Sequence, residues 1–267
     1  MDETVKTIKN YYNANVDAEW NRIAGRPEFL ITRRFIDRYI KSGDNVLDIG
    51  GGPGRYSFYL AYHGCDVTLF DLSDENIRFA LEHAKEQNVK IHAVTGDARS
   101  ADEYFSRQFD HILLMGPMYH LQKETDRIKA VDSALKLLKP GGILFVSFIS
   151  SYGGVIYLMK NAPGLLASTP AEIGFMDLVI EDKPFAGLGF TECNCERYKD
   201  ILPFFQQFPL QKLHFFGQES ILSPCEEKIM SQPETVINRW LDFAEKLCER
   251  EDFLSWAEHL MYIGRKI

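Results

Sequence analysis

The stretch Val46-Leu47-Asp48-Ile49-Gly50-Gly51-Gly52-Pro53-Gly54 decides the fold of this chain. An apolar run with one acidic residue breaks into glycines and a proline, and a helical pattern follows at once. This order predicts a buried strand, a tight turn and the start of a helix. Glycine lets a ligand approach the backbone, and the amides and dipole of a helix start favour a charged ligand. The stretch therefore predicts a nucleotide-like cofactor on the first βα turn of a doubly wound α/β domain.

Strands and helices alternate regularly on both sides of this turn. The strands are near-continuous apolar runs, as is typical of buried parallel strands with helices on both faces. Two later apolar segments predict an antiparallel ending. We therefore expect a Rossmann-like, seven-stranded α/β sheet, mostly parallel with the last strand antiparallel. The predicted strands are 45–49, 66–70, 90–95, 109–115, 143–149, 210–216 and 259–265.

The remaining segments predict accessory parts of one domain that spans residues 1–267. Apolar residues at helical spacing before the first strand predict a helical cover. A stretch rich in glycine, proline and aromatic residues after the fifth strand predicts a lid of short helices and loops. The divisions are 1–41 for the N-terminal cover, 42–150 for the cofactor-binding core, 151–195 for the lid insertion and 196–267 for the C-terminal helices and last two strands.

Composition and charge exclude several classes of protein. The formal net charge is −8, so a generic nucleic-acid or anionic-membrane partner, which needs a basic face, is disfavoured. No apolar run approaches the roughly 18 residues of a transmembrane helix. An odd number of cysteines and the absence of a signal-like start predict a cytoplasmic protein. Cys193 and Cys195 form a C-x-C without a second ligand pair at suitable spacing, so we predict no metal.

Two cofactors compete for the glycine turn. A dinucleotide site requires G-x-G-x-x-G and an acidic residue after the second strand. Here Arg55 stands where the third glycine of that motif would lie, whereas Asp71 suits the ribose of either cofactor. Further polar or glycine residues follow the next strands. Because ligands of such sheets bind beyond the carboxyl ends of the strands, their shared position predicts one site.

The order of these motifs resembles that of class I S-adenosylmethionine-dependent methyltransferases. The glycine turn looks like their first motif, and Asp71, Gly96-Asp97-Ala98 and Leu138-Lys139-Pro140-Gly141-Gly142 follow in the expected order. The resemblance covers about residues 40–150. The segment Gly116–Leu121, which reads Gly-Pro-x-Tyr-His-Leu, also resembles a bacterial subgroup of small-molecule methyltransferases. The implied cofactor is S-adenosylmethionine, and the implied product is S-adenosylhomocysteine.

The resemblance also implies roles for single residues. The glycine turn, which also contains Gly51 and Gly54, would bind the methionine moiety. The backbone of Gly50 and Gly52 would contact this moiety, and Asp48 would support its amino end. A structural role for Asp48 in orienting the turn is nearly as well supported, because a buried carboxylate needs fixed partners. Asp71 would accept hydrogen bonds from both ribose hydroxyls, since a carboxylate has lone pairs for two donors.

The other implied contacts surround the adenine and the sulfonium. Leu72 would pack on the adenine, Asp97 would accept from its amino group, and the Ala98 amide would donate to a ring nitrogen. Met115 and Gly116 would border the sulfonium. Tyr12 and Arg22 of the N-terminal cover are predicted to close on the ligand; the alternative is a core contact for the tyrosine and a surface charge for the arginine.

Tyr119 and His120 are the residues expected to face the methyl acceptor. A hydroxyl acceptor needs a positioned base, and histidine is the usual choice. The alternative for His120 is a residue at a helix N-terminus bonded to backbone. We therefore predict a methyltransferase with a small-molecule acceptor. The alternatives are an RNA or protein methyltransferase, a non-catalytic cofactor-binding module and a nicotinamide-dependent reductase; acceptor and oligomeric state stay open.

Overall fold

The computed structural model describes residues 2–167 and 170–267, in which one mixed sheet is covered by helices on both faces. Within these ranges there are nine strands: β1 Asn45–Ile49, β2 Asp66–Asp71, β3 His92–Thr95, β4 Phe109–Leu114, β5 Leu138–Ser150, β6 Phe185–Leu188, β7 Glu192–Glu196, β8 Leu210–Gly217 and β9 His259–Lys266. The α-helices are α1 Glu3–Ala14, α2 Val16–Arg22, α3 Pro27–Tyr39, α4 Arg55–Tyr62, α5 Asp74–Glu86, α6 Glu124–Leu137, α7 Ser151–Asn161, α8 Pro170–Ile180, α9 Tyr198–Phe205, α10 Glu226–Met230, α11 Glu234–Leu247 and α12 Glu251–Leu254. Short 3-10 helices span Ala98–Glu103, Pro117–Tyr119, Pro163–Ala167 and Ser220–Cys225.

The sheet confirms the doubly wound α/β fold and its order. The strands run β3-β2-β1-β4-β5-β7-β6, and β9 pairs with β5 and β8. β1 pairs in parallel with β2 and β4, so the chain changes direction across the sheet beside β1. β9 is antiparallel to both β5 and β8, as expected for the last strand. The carboxyl ends of β1, β2 and β4 therefore meet at one edge.

The predicted number of seven strands was wrong. Two short strands, β6 and β7, form an antiparallel hairpin inside the segment predicted as a lid of helices and loops. Glycines at 187 and 189 concealed this hairpin, because glycine is uncommon within strands. Residues 168–169 of the predicted lid lie outside the described ranges. The C-terminal helices predicted within 196–267 are α9, α10, α11 and α12, with Pro233 directly before α11.

Two apolar layers fix the helices on the sheet. On one face α9 packs against β9, where the rings of Phe205 and Tyr262 are stacked at 3.7 Å. On the other face α3 packs against β8, where Phe35 and Phe216 stack at 3.9 Å. Among the described residues, no helix combines the length and the apolar character that a membrane crossing needs. Burial on both faces keeps the strands in register and leaves the polar loops at their carboxyl ends.

Candidate active site

The glycine turn leaves β1 and opens towards a cleft at the carboxyl edge of the sheet. Gly50 and Gly52 have φ values of 71° and 59°, which residues with a side chain rarely adopt. The Gly52 amide donates to Asp71 Oδ2 at 2.8 Å. An added Cβ at Gly52 would meet only Asn76 within 4 Å, at 3.9 Å. The turn therefore presents bare backbone, beside a carboxylate, to a ligand in the cleft.

Asp71 ends β2 and is held from three sides. In addition to Gly52, the Ser73 amide donates to Oδ1 at 2.9 Å, and Asn76 Nδ2 donates to Oδ1 at 3.1 Å. Burial raises the pKa of Asp71, while these three hydrogen bonds oppose the rise. The carboxylate lines the cleft. It is thus oriented and retains lone pairs for hydroxyl donors.

Asp48 lies beneath the turn as well as on the wall of the cleft. Its side chain accepts a hydrogen bond from Ser57 Oγ at 2.7 Å, and a Cβ on Gly51 would lie 2.5 Å from Asp48 Oδ2. Only 1% of Asp48 is exposed, and burial raises its pKa to about 7. These contacts support the structural role for Asp48 without removing the predicted role beside a ligand.

The raised pKa of Asp48 predicts how the stability of the folded chain depends on pH. Its pKa in the folded chain, about 7, lies above the ordinary value of about 3.9, so the folded state binds the extra proton. The wild-type free energy of unfolding should fall as pH rises from about 4 to 7, by at most about 1.4 kcal/mol per pH unit from this group. Asp48→Asn removes that dependence. Urea unfolding at pH 5 and pH 8 measures the free energy of unfolding of both proteins. The stability of the variant relative to the wild type should be higher at pH 8 than at pH 5. If this relative stability is the same at both pH values, the raised pKa of Asp48 is wrong.

Asp97 and Ala98 follow β3 at the adenine end predicted for the ligand. Asp97 Oδ1 accepts from the Arg99 amide at 2.9 Å and caps the 3-10 helix that starts at Ala98. The Arg99 guanidinium also binds the Asp97 carboxylate at 2.6 Å and reaches Asp126 at 3.2 Å. Asp97 therefore lines the cleft as half of an ion pair, and its role towards adenine stays a prediction.

His120 is buried at the other end of the cleft. Its Nδ1 lies 2.9 Å from the Glu192 carbonyl oxygen, so Nδ1 carries the proton and donates. Nε2 lies 2.6 Å from the Tyr12 hydroxyl and accepts from it. Burial lowers the pKa of His120 to about 4. The imidazole is therefore neutral with both nitrogens engaged, and it can take a proton from a ligand only through Tyr12.

The N-terminal helices close the cleft with charged as well as aromatic side chains. Tyr12 of α1 and Arg22 of α2 both line it, as predicted. The Arg22 guanidinium binds Glu28 at 2.9 Å and Glu19 at 3.2 Å. Glu19 and Glu28 also line the cleft, and no sequence pattern indicated them. Arg22 is thus fixed by two carboxylates rather than left as a free surface charge.

A second group missed by the sequence analysis lies behind Glu28. His259, the first residue of β9, places Nδ1 2.6 Å from Glu219 Oε1 and 3.7 Å from Glu28 Oε2. Burial alone would lower the pKa of His259, but the two carboxylates raise it to about 9. The Tyr119 ring contacts the His259 ring edge-on at 6.4 Å. This group therefore adjoins the predicted acceptor residues.

The cleft brings together almost all the predicted site residues. Gly54 is the exception: its left-handed conformation, with φ of 93°, serves the start of α4, and a Cβ there would meet Leu69 at 3.3 Å. The predicted residues that line the cleft are Tyr12, Arg22, Asp48, Gly50, Gly51, Gly52, Asp71, Leu72, Asp97, Ala98, Met115, Gly116, Tyr119 and His120.

Comparisons with known proteins agree with this site. Residues 46–142 match the family model described as a methyltransferase domain. The chain is 33% identical to the ubiquinone biosynthesis O-methyltransferase of Coxiella burnetii over 151 residues, 54% of this chain and 63% of that protein. The corresponding enzyme of Shewanella pealeana is 30% identical over 129 residues, 45% of this chain and 53% of that protein. The match thus spans about half to somewhat under two thirds of these curated relatives.

Solved structures share the fold over nearly the whole chain. Magnesium protoporphyrin IX methyltransferase from Synechocystis has a TM-score of 0.60 at 13% identity and covers 99% of this chain and 100% of its own. A TehB-like S-adenosylmethionine-dependent methyltransferase from Corynebacterium glutamicum has a TM-score of 0.56 at 20% identity, with 96% and 98% covered. Residues 46–142 are therefore similar to a methyltransferase domain, and nearly the whole chain shares the fold of these two solved methyltransferases. The cofactor named for the Corynebacterium protein is S-adenosylmethionine.

The residues present fit this cofactor. The fit rests on two observations in this structure: the bare backbone at Gly52, and the oriented carboxylate of Asp71 next to it. A ribose diol needs an acceptor for two hydroxyls, and a charged methionine tail suits backbone amides near a helix start. Both requirements are met on one wall of the cleft.

Proposed function

We propose that this chain transfers a methyl group from S-adenosylmethionine to a small-molecule acceptor in the cytoplasm. The observation that carries the proposal is the position of Asp71 against the Gly52 amide, inside a cleft lined by the class motifs. When bound, the cofactor supplies a methyl group already activated on a sulfonium. Five free cysteines support the reducing compartment.

The chain's own part is binding and alignment. Gly50 and Gly52 would hold the methionine end, with Asp48 beneath them. Asp71 would orient the ribose, and Leu72, Asp97 and Ala98 would border the adenine. Met115 and Gly116 would border the sulfur, and Tyr12 and Arg22 would cover the ligand. Orientation of two reactants in a closed cleft can supply several kcal/mol towards such a displacement.

The acceptor is proposed to lie between Tyr119 and the Tyr12–His120 pair. For a hydroxyl acceptor, the bound cofactor would supply the methyl carbon to the acceptor oxygen, and the demethylated cofactor would be the product that leaves. The acceptor's proton would pass to the Tyr12 oxygen while the Tyr12 proton passes to His120 Nε2. The proton on His120 would later leave to solvent. Because the pKa of His120 is low, its imidazole would hold the proton only transiently. The relatives' names, which specify O-methyl transfer, support an oxygen acceptor.

The size and cover of the cleft favour a small acceptor over RNA or protein. The free space inside the cleft is about 140 Å³, which leaves no room for a macromolecular acceptor. Val5, Ile8 and Tyr12 of α1 line it, so the N-terminal cover leaves no broad open surface there. The net charge of −8 also disfavours a nucleic-acid partner.

Two measurements test the function. Calorimetric titration should show binding of S-adenosylhomocysteine and none of NAD(P)H. Incubation with methyl-labelled S-adenosylmethionine and a panel of small hydroxyl, amine and thiol compounds should give label in one of them. Label in bulk tRNA or peptide instead would favour the macromolecular alternative, and cofactor binding without turnover on any acceptor would favour a non-catalytic module.

A further inference from the structure

Two carboxylates and an imidazole converge behind the wall of the cleft, and Glu28 is the one of the three that lines it. Glu28 comes from the start of α3, Glu219 from the turn after β8 and His259 from the start of β9. One ligand atom of each residue lies within 4.8 Å of those of the other two. In the described part of the chain, this is the one group of three or more His, Cys, Asp or Glu residues that converge in this way. We refer to it as the Glu28–Glu219–His259 cluster.

The spacing within the cluster is close to that of a metal-ligand set. His259 Nδ1 is 2.6 Å from Glu219 Oε1 and 3.7 Å from Glu28 Oε2. Nitrogen and oxygen atoms bound at about 2.1 Å to one ion lie roughly 3.0–3.5 Å apart. The two distances to His259 depart from this range by at most about 0.4 Å, and the Glu28 and Glu219 oxygens lie within 4.8 Å of each other. Glu219 is also fixed from behind, because its Oε2 accepts the backbone amide of His259 at 3.0 Å.

The surroundings contain a polar group that needs a partner. Tyr56 lines the same cleft, is 7% exposed, and its hydroxyl has no hydrogen-bond partner. The hydroxyl of the neighbouring Thr32 accepts a hydrogen bond from Gln218 Nε2 at 2.9 Å instead. Burial raises the pKa of Tyr56, and the charges of Glu28 and Glu219 add to the rise. An orphaned buried hydroxyl at this point is explained if a water or ligand group occupies the space beside the cluster.

The charge balance allows an ion. Glu28 and Glu219 are 8% and 3% exposed, and buried carboxylates need a compensating positive charge. Arg22 supplies part of it at Glu28, and Arg26 and Lys160 are engaged by Glu226. A divalent cation between Glu28, Glu219 and His259 would supply the rest.

We propose that the Glu28–Glu219–His259 cluster binds one divalent transition-metal ion, with Mn²⁺ and Zn²⁺ as the fitting chemistries. Carboxylate oxygens suit Mn²⁺, an imidazole nitrogen suits Zn²⁺, and three protein ligands leave a coordination position open. Glu28 and Tyr119, whose ring contacts that of His259, both line the cleft, so the cluster adjoins the proposed acceptor end. Polarisation of an acceptor oxygen there rests on the proposed function; metal binding itself does not.

The test uses Mn²⁺ with the full chain. Manganese is chosen because thiolates bind it poorly and all five cysteines are free. Titration followed by electron paramagnetic resonance should show one bound ion per chain. Glu28→Gln and Glu219→Gln should each weaken binding at least about tenfold. The matched control is Glu249→Gln. Glu249 Oε1 lies 2.9 Å from His214 Nδ1, and among the described residues this pair has no second carboxylate beside it in the way that the cluster does. The control variant should bind Mn²⁺ as the wild type does.

Three results would overturn the proposal: no saturable binding below millimolar Mn²⁺, equal binding in Glu28→Gln, or the same loss in the Glu249→Gln control. Circular dichroism checks that each variant folds. If Glu219→Gln does not fold, Glu28→Gln carries the test, since its amide oxygen can still accept from Arg22. S-adenosylhomocysteine affinity is measured on the same samples. Bound Mn²⁺ without cofactor binding would leave the metal site standing and overturn the proposed function alone.

Discussion

Replacing Asp71 with alanine should weaken S-adenosylhomocysteine binding at least about tenfold, with up to about a hundredfold expected if both ribose hydroxyls bind the carboxylate. The carboxylate is held at the end of β2 by the Gly52 and Ser73 amides and by Asn76, so its orientation is set before the ligand arrives. Its removal deletes the acceptor and also frees the Gly52 amide. Calorimetric titration of the purified variant measures the change.

A neighbouring aspartate provides the control for this experiment. Asp74 lies one turn away at the start of α5, where its exposed side chain pairs with Lys9. Asp74→Ala should keep wild-type affinity, which separates a contact with the ligand from a general change in charge. If Asp71→Ala binds S-adenosylhomocysteine as tightly as the wild type, the ribose assignment is wrong.

Replacing His120 with alanine should reduce kcat about a hundredfold or more while S-adenosylhomocysteine affinity stays the same. The imidazole accepts from the Tyr12 hydroxyl at 2.6 Å and donates to the Glu192 carbonyl, so we expect any proton from the acceptor to reach it through Tyr12. Tyr12→Phe keeps the ring and removes only the hydroxyl. If the two residues act as one relay, this variant should lose a similar factor, and the double variant should lose little more.

The chain contains a second tyrosine–histidine pair of the same length. Tyr39 and His214 are also 2.6 Å apart, but neither lines the cleft. His214→Ala should therefore turn over acceptor as the wild type does. Turnover is measured with the acceptor identified in the methyl-transfer panel. Wild-type kcat in His120→Ala would eliminate the base role, and the interpretation of His120 as a residue held by backbone would then stand.

The cofactor side of the cleft was predictable from sequence because each of its parts is local. A strand end, a glycine turn and an acidic residue after the next strand are neighbours in the sequence, and the parallel sheet then places them on one edge. Asp71, Gly52 and Asp97 were found in this way. The strand count failed at the β6–β7 hairpin, where the strands are four and five residues long and glycine-containing.

The acceptor side was less predictable because its contacts join distant segments. Glu28, Glu219 and His259 meet only after α3 has packed against the strand pair β8–β9. No spacing in the sequence marks such a contact, and each residue alone resembles an ordinary surface or core residue. His120 was found from a motif, but its engagement by Tyr12 and by the Glu192 carbonyl depends on α1 and on the hairpin that the sequence analysis missed.

The position of β9 has a consequence for the synthesis of the protein. β9 pairs along β5 from Ile143 to Ile149, yet residues 151–258 separate the two strands in the chain. On the ribosome, β5 therefore emerges with one apolar edge unpaired and stays so until β9 follows. Exposed edges of this kind are where nascent chains associate wrongly. We therefore expect β9 to join the sheet late in folding. The yield of folded protein should depend on how well the β5 edge is shielded until then.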